Sequence, residues 1–394
     1  MSDSDLTIRG KVAVVGIGET AYYKRGQATD PEFVMALEAI MKAADDAGIA
    51  VTDIDGFASF SDDRNGPVRV ANALGLPELR FNSMVWGGGG GGGSAAMANA
   101  VAAVAAGYAN YVVVFRSLAQ GQFFRFGGGY GGAKAAGSAA FTSPYGLTSP
   151  AQIYAMRARR FMHEHGVEQE ALRAVSLASY RHAQHNPRAV MHGRELTEEA
   201  YDQSRWIVEP YHLFDCCMEN DGAAAMVLTS AERARDLKHP PAYILAAAQG
   251  SAYQHGASVH NDADYASANF KTLAPRLYEM AGVGPQDVDV LQSYENFTGG
   301  VVMSIVEHGF CAPEEVNEFF TLEHFSAPDG KLPLNTSGGN LAECYVHGLE
   351  LNVEGVRQVR GDSTCQVPDV NISMVTSGPM AEPVSNIIFA RDAG

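Results

Sequence analysis

The sequence predicts an α/β fold of stacked helix and sheet layers, and three observations carry that prediction. Strand-like and helix-like segments alternate through both ends of the chain. A stretch near residue 50 recurs near residue 284 with the same turn leading into a strand. Between residues 119 and 205 the composition shifts to glycine-rich loops and basic helices, which reads as an insertion into the first of two related halves. The boundaries expected are 1–118 with 206–240 for the first half, 119–205 for the inserted loop domain, and 241–394 for the second half.

Each element has a local reason. "KVAVVGIGET", from Lys11, reads as a buried strand and turn. After Pro31, the residues Phe33, Ala36, Leu37, Ile40, Met41 and Ala44 repeat at helical spacing, and Gly48 stops that helix. "DGFASF" at 55–60, a helix from Ser94 to Ala106 and "YVVVF" at 111–115 continue the alternation. The insertion holds "FGGGYGGAKAAG" at 126–137, "TSPYGLTSP", and two basic amphipathic helices around Arg157 to His165 and Leu172 to His185. "DGAAAMVL" at 221–228 resumes strand character. Downstream, "AGVGPQDVDVL" at 281–291 aligns without gaps against "AGIAVTDIDGF" at 47–57. Gly92-Gly93 and Gly338-Gly339 then each precede a helix, and "YVVVF" and "NISMV" each follow as strands, so the two halves read as a duplication.

Composition excludes several classes. A chain of 394 residues, 46% hydrophobic and 19% charged, has ample core for two or more domains. Its net charge of -17 argues against nucleic acid and against an anionic membrane surface. The start has no secretory apolar region and no run is long enough to span a bilayer, so a cytoplasmic location is expected. Cys216, Cys217, Cys311, Cys344 and Cys365 match neither a zinc site nor a disulfide framework. Cys216 and Cys217 read as buried packing residues.

Seven consecutive glycines, Gly87 to Gly93, stand between "MVW" and an alanine-rich helix. A tether would be flanked by polar residues; a loop that brings a ligand to unpaired amides at a helix N-terminus fits this context better. Among the histidines, His163 with His165 and His182 with His185 are the only pairs at metal-ligand spacing, and surface or core roles are the commoner explanation for them.

These features together resemble the thiolase superfamily, over nearly the whole chain. "LNTSGGNLAECYVHG" resembles the superfamily's "N-x-N/S-G-G…G-H-P" segment: Asn335, Ser337, Gly338 and Gly339 match, and Tyr345 stands at the histidine position. "SYENFTGG" resembles the "N-E-A-F" or "H-D-C-F" segment: Glu295 and Phe297 match, and Tyr294 stands where the asparagine or histidine would. The heptaglycine corresponds to the nucleophile loop, and "MVTSGPMA" around Gly378 to the closing "C-x-G". Both catalytic cysteines are therefore missing. The resemblance implies a duplicated five-layered αβαβα fold with an inserted loop domain in the first half, and a CoA thioester as ligand.

Without a thiolate, acyl-enzyme chemistry is excluded. Either the chain is an inactive lipid or acyl-CoA carrier, or it does different chemistry on the same ligand class; a condensing or decarboxylating enzyme with an externally carried acyl group is a third reading. Two tyrosines at the former polar positions favour different chemistry, although two core tyrosines with satisfied hydroxyls are the plain alternative. The pattern looks like the lipid-transfer-protein branch of thiolase-like proteins, whose characterised members are steroid side-chain aldolases. By that resemblance, Tyr294 and Tyr345 are the acid and base of a retro-aldol cleavage of a β-hydroxyacyl-CoA. The products are a ketone and a short acyl-CoA.

No lysine falls in the aligned site segments, so an imine is not expected, nor is a metal or any cofactor beyond the CoA of the substrate. A tyrosine base needs a neighbour that favours tyrosinate. His347, two positions after Tyr345, is expected to orient it, a structural histidine being the alternative. Gly89, Gly90, Gly91, Gly92 and Gly378 would supply the oxyanion hole and room for the acyl group, with His255 lining the pocket. Arg157, Arg159 and Arg160 are expected on the CoA phosphates, a solvated helix face being the alternative. The resemblance further implies a homodimer through the edge strand of the first half, assigned to "YVVVF", and a small OB-fold partner in a two-plus-two complex.

Overall fold

The computed structural model describes residues 8–61, 63–87, 89–123, 136–256 and 260–394. Gly88 of the heptaglycine, Lys134 and most of the glycine-rich stretch at 126–137 lie outside these residues.

Five main strands form the first half: β1 (Val12–Glu19), β2 (Gly56–Phe60), β3 (Phe81–Val85), β4 (Val112–Ala119) and β5 (Asn220–Ser230), ordered β3-β2-β4-β5-β1, with a two-residue strand, Tyr23–Lys24, paired to the start of β5. The second half has β6 (Ala242–Gly250), β7 (Val290–Ser293), β8 (Ile372–Ser377) and β9 (Val384–Ala390), ordered β7-β8-β9-β6. Directions also correspond. β2 runs parallel to β4 as β7 does to β8, and β5 and β9 are antiparallel to their neighbours. β3, parallel to β2, has a rudimentary counterpart in the parallel bridge from Leu291 to Leu334. A short antiparallel register, Ala13 to Tyr243 and Val14 to Ala242, joins the half-sheets at β1 and β6.

The longer helices are α1 (Glu32–Ala47), α2 (Pro67–Leu74) and α3 (Gly92–Ala105) in the first half, α4 (Pro150–His165) and α5 (Gln169–Ala183) in the insertion, and α6 (Leu273–Ala281), α7 (Thr298–Glu307) and α8 (Leu349–Arg360) in the second half. Alternation along β4 assigns the layers. Val113 and Phe115 pack outward on α1 and α2, while Val112 and Val114 pack inward with α3 and α8. The inner cluster also takes Val375 and Phe389 from the second half-sheet, and the other face of that sheet, with Met374 and Ile388, packs on α6 and α7. The result is α-β-α-β-α. Because α3 is buried between two sheets, it is small and apolar on nearly every face. Phe161 and Leu172, from the insertion helices, join the second half's outer cluster.

The repeated sequence has a repeated physical job. Gly48 (φ 73°) and Gly282 (φ 66°) end α1 and α6 in the left-handed conformation. Asp53 then accepts the Ala50 N–H at 3.1 Å, and Asp287 the Gly284 N–H at 2.8 Å. Asp55 accepts the backbone N–H groups of Asn110 and Tyr111 at 2.9 Å each, just before β4. Asp289 does the same to Asn371 and Ile372 at 2.8 Å each, at the start of β8. Each half thus carries a carboxylate clip between the beginnings of two parallel strands.

One expectation is corrected. "YVVVF" is interior, since β4 pairs with β2 on one side and β5 on the other. The edge strand is β3, with Met84 exposed and Trp86 beyond it 89% exposed. The apolar run of β4 marks a strand covered on both faces rather than an edge. Among the described residues no helix is long and apolar enough to cross a membrane.

Candidate active site

The C-terminal ends of β2, β4, β7 and β8 converge on one place, where open α/β sheets present their loops. Tyr294 leaves β7 with its N–H on the Thr376 carbonyl at 3.0 Å. Its strand end is clamped by Asn335, which accepts the Ser293 N–H at 2.7 Å and donates to the Ser293 carbonyl at 2.9 Å. Tyr345 stands on the segment before α8, and its N–H donates to the Asn220 side chain at the start of β5. The two hydroxyls meet at 2.8 Å, with both side chains buried. So the structure brings together two residues 51 positions apart that substitute for the polar residues of the superfamily motifs.

The glycines explain themselves in contact with this pair. A Cβ on Gly90 would lie 1.9 Å from Tyr294 Cζ, and one on Gly348 would lie 2.5 Å from Tyr294 Cδ2. A Cβ on Gly91 would meet the Pro383 carbonyl at 2.0 Å, on Gly92 the Phe60 ring, and on Gly378 the Gly91 backbone at 2.1 Å. The run lets backbone and tyrosine ring touch without side chains between them. Gly89 has φ 43° and open space around it. α3 begins directly after Gly91, at Gly92 rather than at Ser94, and no side chain caps it.

Burial drives both tyrosine pKa values well above the ordinary phenol range, each hydroxyl beside the other and near Cys217. The hydrogen bond with Tyr294 favours the tyrosinate form of Tyr345, but burial outweighs it. Cys217 and Cys344 are pushed up by burial in the same way, so neither thiol is a thiolate. Cys216 and Cys217 are half-buried. Glu295 is buried against Gly339, accepts the Ser179 hydroxyl at 3.4 Å and has its pKa raised to about 8 by desolvation. Glu350, buried and raised well above the carboxylate range, accepts from Asn340 and from the Val346 N–H at 3.2 Å. Both acids brace the segment that carries Tyr345.

His347 does not hydrogen-bond Tyr345. The two rings pack edge to face at 5.2 Å and 82°. Its Nδ1 instead faces Arg116 Nη2 at 3.1 Å, and burial with the nearby Arg116 and Arg64 charges holds its pKa well below 6.5. Arg116 was missed at the sequence level; the available signal was a single arginine inside an apolar strand, "VVVFRSLA". Asn220, which holds Tyr345, and Gln120, buried at the end of β4 with both amide atoms unpartnered, were missed as well.

The remaining predicted residues lie elsewhere. His255 pairs with Asp262 and faces the Ser267 carbonyl at 3.5 Å, away from the tyrosines in its bonding. Arg157 is corrected: its buried guanidinium donates to the carbonyls of Tyr265 (2.9 Å) and Gly256 (2.5 Å), so it ties loops together and is not presented to a phosphate. Arg159 and Arg160 are exposed and line an open cavity of about 520 Å³ with Tyr145, Gln152 and Tyr265. His182 is a core residue, accepting the Ala327 N–H at 2.8 Å, with burial pushing its pKa down to about 4.

Comparison with known proteins gives the family. Residues 250–391 match the family described as thiolase C-terminal domain-like. The chain is 40% identical over 391 residues to a steroid side-chain-cleaving aldolase of Thermomonospora curvata, covering 97% of this chain and 98% of that one. It is 39% identical to the 17-hydroxy-3-oxo-4-pregnene-20-carboxyl-CoA lyase of Mycobacterium tuberculosis, covering 97% and 100%. The solved structure of an Ltp2-ChsH2(DUF35) aldolase superposes with a TM-score of 0.89 at 38% identity, covering 97% and 98%. The chain belongs to the thiolase superfamily and, within it, to the lipid-transfer-protein branch of thiolase-like aldolases.

Proposed function

We propose that this aldolase cleaves a β-hydroxyacyl-CoA of the steroid side-chain type to a ring ketone and a short acyl-CoA, with Tyr294 and Tyr345 moving the protons. The observation that carries the reading is the 2.8 Å contact between the two hydroxyls. The raised phenol pKa values rule against a standing tyrosinate, but a linked pair needs none. One hydroxyl accepts the proton of the substrate's β-hydroxyl as it passes its own to its neighbour. The second tyrosine then protonates the α-carbon. The electron pair of the broken bond resides on the thioester as an enolate, and the net proton count is unchanged. Amides of the glycine run around Gly89 to Gly92 are the oxyanion donors in this scheme, with Gly378 closing the wall.

The relatives' names support the substrate class, since the M. tuberculosis lyase is named for a hydroxylated steroid carboxyl-CoA. Arg159 and Arg160 are the residues proposed for the CoA phosphates. We assign no metal and no further cofactor to the reaction. β3 is the proposed homodimer edge. The similar solved aldolase is named with a second component, ChsH2(DUF35), which supports a partner protein for this chain; the OB fold of that partner and the two-plus-two complex are what the family resemblance implies. A cytoplasmic location fits an intracellular CoA substrate. The test is mass spectrometry of products from a panel of β-hydroxyacyl-CoA thioesters, with and without EDTA and borohydride. Equal amounts of ketone and short acyl-CoA in all conditions are expected. Bound but unchanged thioester indicates a carrier, and loss of activity with a mass increase on a lysine indicates imine chemistry; either result refutes the proposal.

A further inference from the structure

Arg116 spends its guanidinium on one small region. Nη1 donates to the Phe60 carbonyl at 3.1 Å and to Asp63 at 3.0 Å, while Nη2 donates to the Ser61 carbonyl at 3.2 Å and faces His347 Nδ1 at 3.1 Å. The Arg116 side chain is 4% exposed and the Asp63 carboxylate fully buried. Two of the residues it ties, Ser61 (φ 56°) and His347 (φ 54°), hold the left-handed backbone that non-glycine residues seldom adopt, so the arginine bridges two strained points across the site.

The bond dictates a protonation state. A guanidinium has donors only, so Nδ1 must offer its lone pair, and the imidazolium, which has a proton on each nitrogen, is excluded. The proton of the neutral ring is therefore on Nε2. Asp63 neutralises the arginine without touching the imidazole, and Arg64, the other charge felt by His347, acts against the imidazolium as well. A neutral imidazole held as a donor beside Tyr345 suits a reaction in which the thioester oxygen gains charge. It stabilises that oxygen, and with its lone pair engaged by Arg116 it does not compete for the alcohol proton.

We propose that Arg116 is a positioning residue that fixes His347 as a neutral Nε2–H imidazole, and that this N–H donates to the thioester oxygen as the carbon–carbon bond breaks. The second half rests on the aldol reading above; the first half does not. As the bond breaks, its electron pair moves onto the thioester as an enolate, the alcohol proton passes through Tyr294 and Tyr345 to the α-carbon, and the His347 proton stays on its nitrogen throughout.

Protein labelled with nitrogen-15 in its histidine rings provides the test, with His347→Gln identifying the signal by its loss. At about pH 5.5, roughly one unit below the ordinary imidazole value, wild-type His347 is expected to show an unprotonated Nδ1 and a protonated Nε2. In the paired Arg116→Met/Asp63→Asn variant, which leaves no buried carboxylate unmatched, the ring is expected to populate both tautomers. Its kcat should fall by about tenfold to a hundredfold with KM nearly unchanged, and Arg116→Lys should retain part of the loss. A wild-type ring protonated on Nδ1 at that pH overturns the proposal without any substrate in the tube, so it fails separately from the aldol reading. Turnover unchanged in the paired variant overturns the catalytic half. Should the paired variant not fold, the wild-type spectrum and the kcat of Arg116→Lys decide.

Discussion

Replacing Gly90 by alanine adds one methyl group where the Tyr294 ring leaves no room for it. The new Cβ would stand 1.9 Å from Tyr294 Cζ and 2.3 Å from its hydroxyl oxygen, both far inside contact distance. To restore ordinary contact at 3.4 Å the ring has to withdraw by about 1.5 Å, and Gly348 packed on the same ring limits where it can go. A retreat of that size breaks the 2.8 Å bond to Tyr345. Misplacing a reacting group by about an ångström typically costs on the order of a hundredfold in rate, and overpacking a core adds about 1–3 kcal/mol of instability. Gly93→Ala is the control, because its Cβ would meet only Asn352 at 3.5 Å and the Gly348 backbone at 3.6 Å, both ordinary contacts. Turnover of a β-hydroxyacyl-CoA, followed by release of the short acyl-CoA, should fall about a hundredfold in Gly90→Ala and little in Gly93→Ala. Equal losses in the two variants, or a folded Gly90→Ala protein within about threefold of wild type, would refute the reasoning.

Tyr294→Phe and Tyr345→Phe should each lower kcat by about a hundredfold or more, at a stability cost of about 1 kcal/mol for the hydrogen bond lost; near-normal turnover in both removes the proton shuttle. Glu295 carries a pH signature: burial raises its folded pKa to about 8, so its contribution is fully present below the unfolded value and is lost as pH rises through about 8. Thermal melts from pH 5 to 9 should therefore slope downward more steeply for wild type than for Glu295→Gln, and parallel curves would contradict the neutral buried acid. Met84→Lys, on the exposed side of β3, should weaken the proposed homodimer by about tenfold or more by light scattering, whereas the same substitution at exposed Met156 should not.

How far the sequence could be read follows from what each signal reports. The repeat at 47–57 and 281–291 was legible because its glycines and aspartates act locally, on backbone a few residues away or on the next strand. The tyrosine pair was legible only through motif position, since no spacing rule brings residues 294 and 345 to 2.8 Å. Arg157 was misread because a basic helix looks alike whether its arginine meets phosphate or buried carbonyls; the difference lies in Tyr265 and Gly256, about a hundred residues on. β4 was misread as an edge because five apolar residues in a row signal burial on both faces without saying which strands supply the pairing. Arg116 escaped notice because its partners come from two other segments of the chain.

The two aspartate clips lie at the opposite end of the sheet from the tyrosines. Asp55 and Asp289 fasten the beginnings of the parallel strands, whereas Phe60, Arg116, Tyr294 and Gly378 lie at or near their far ends. The molecule therefore separates what its halves share from what sets them apart along a single axis: one rim carries the same aspartate clip in both halves, and the other carries different side chains in each. An engineer seeking new chemistry on this scaffold has a natural cutting line, with loops exchanged at the tyrosine rim and the clipped rim left alone.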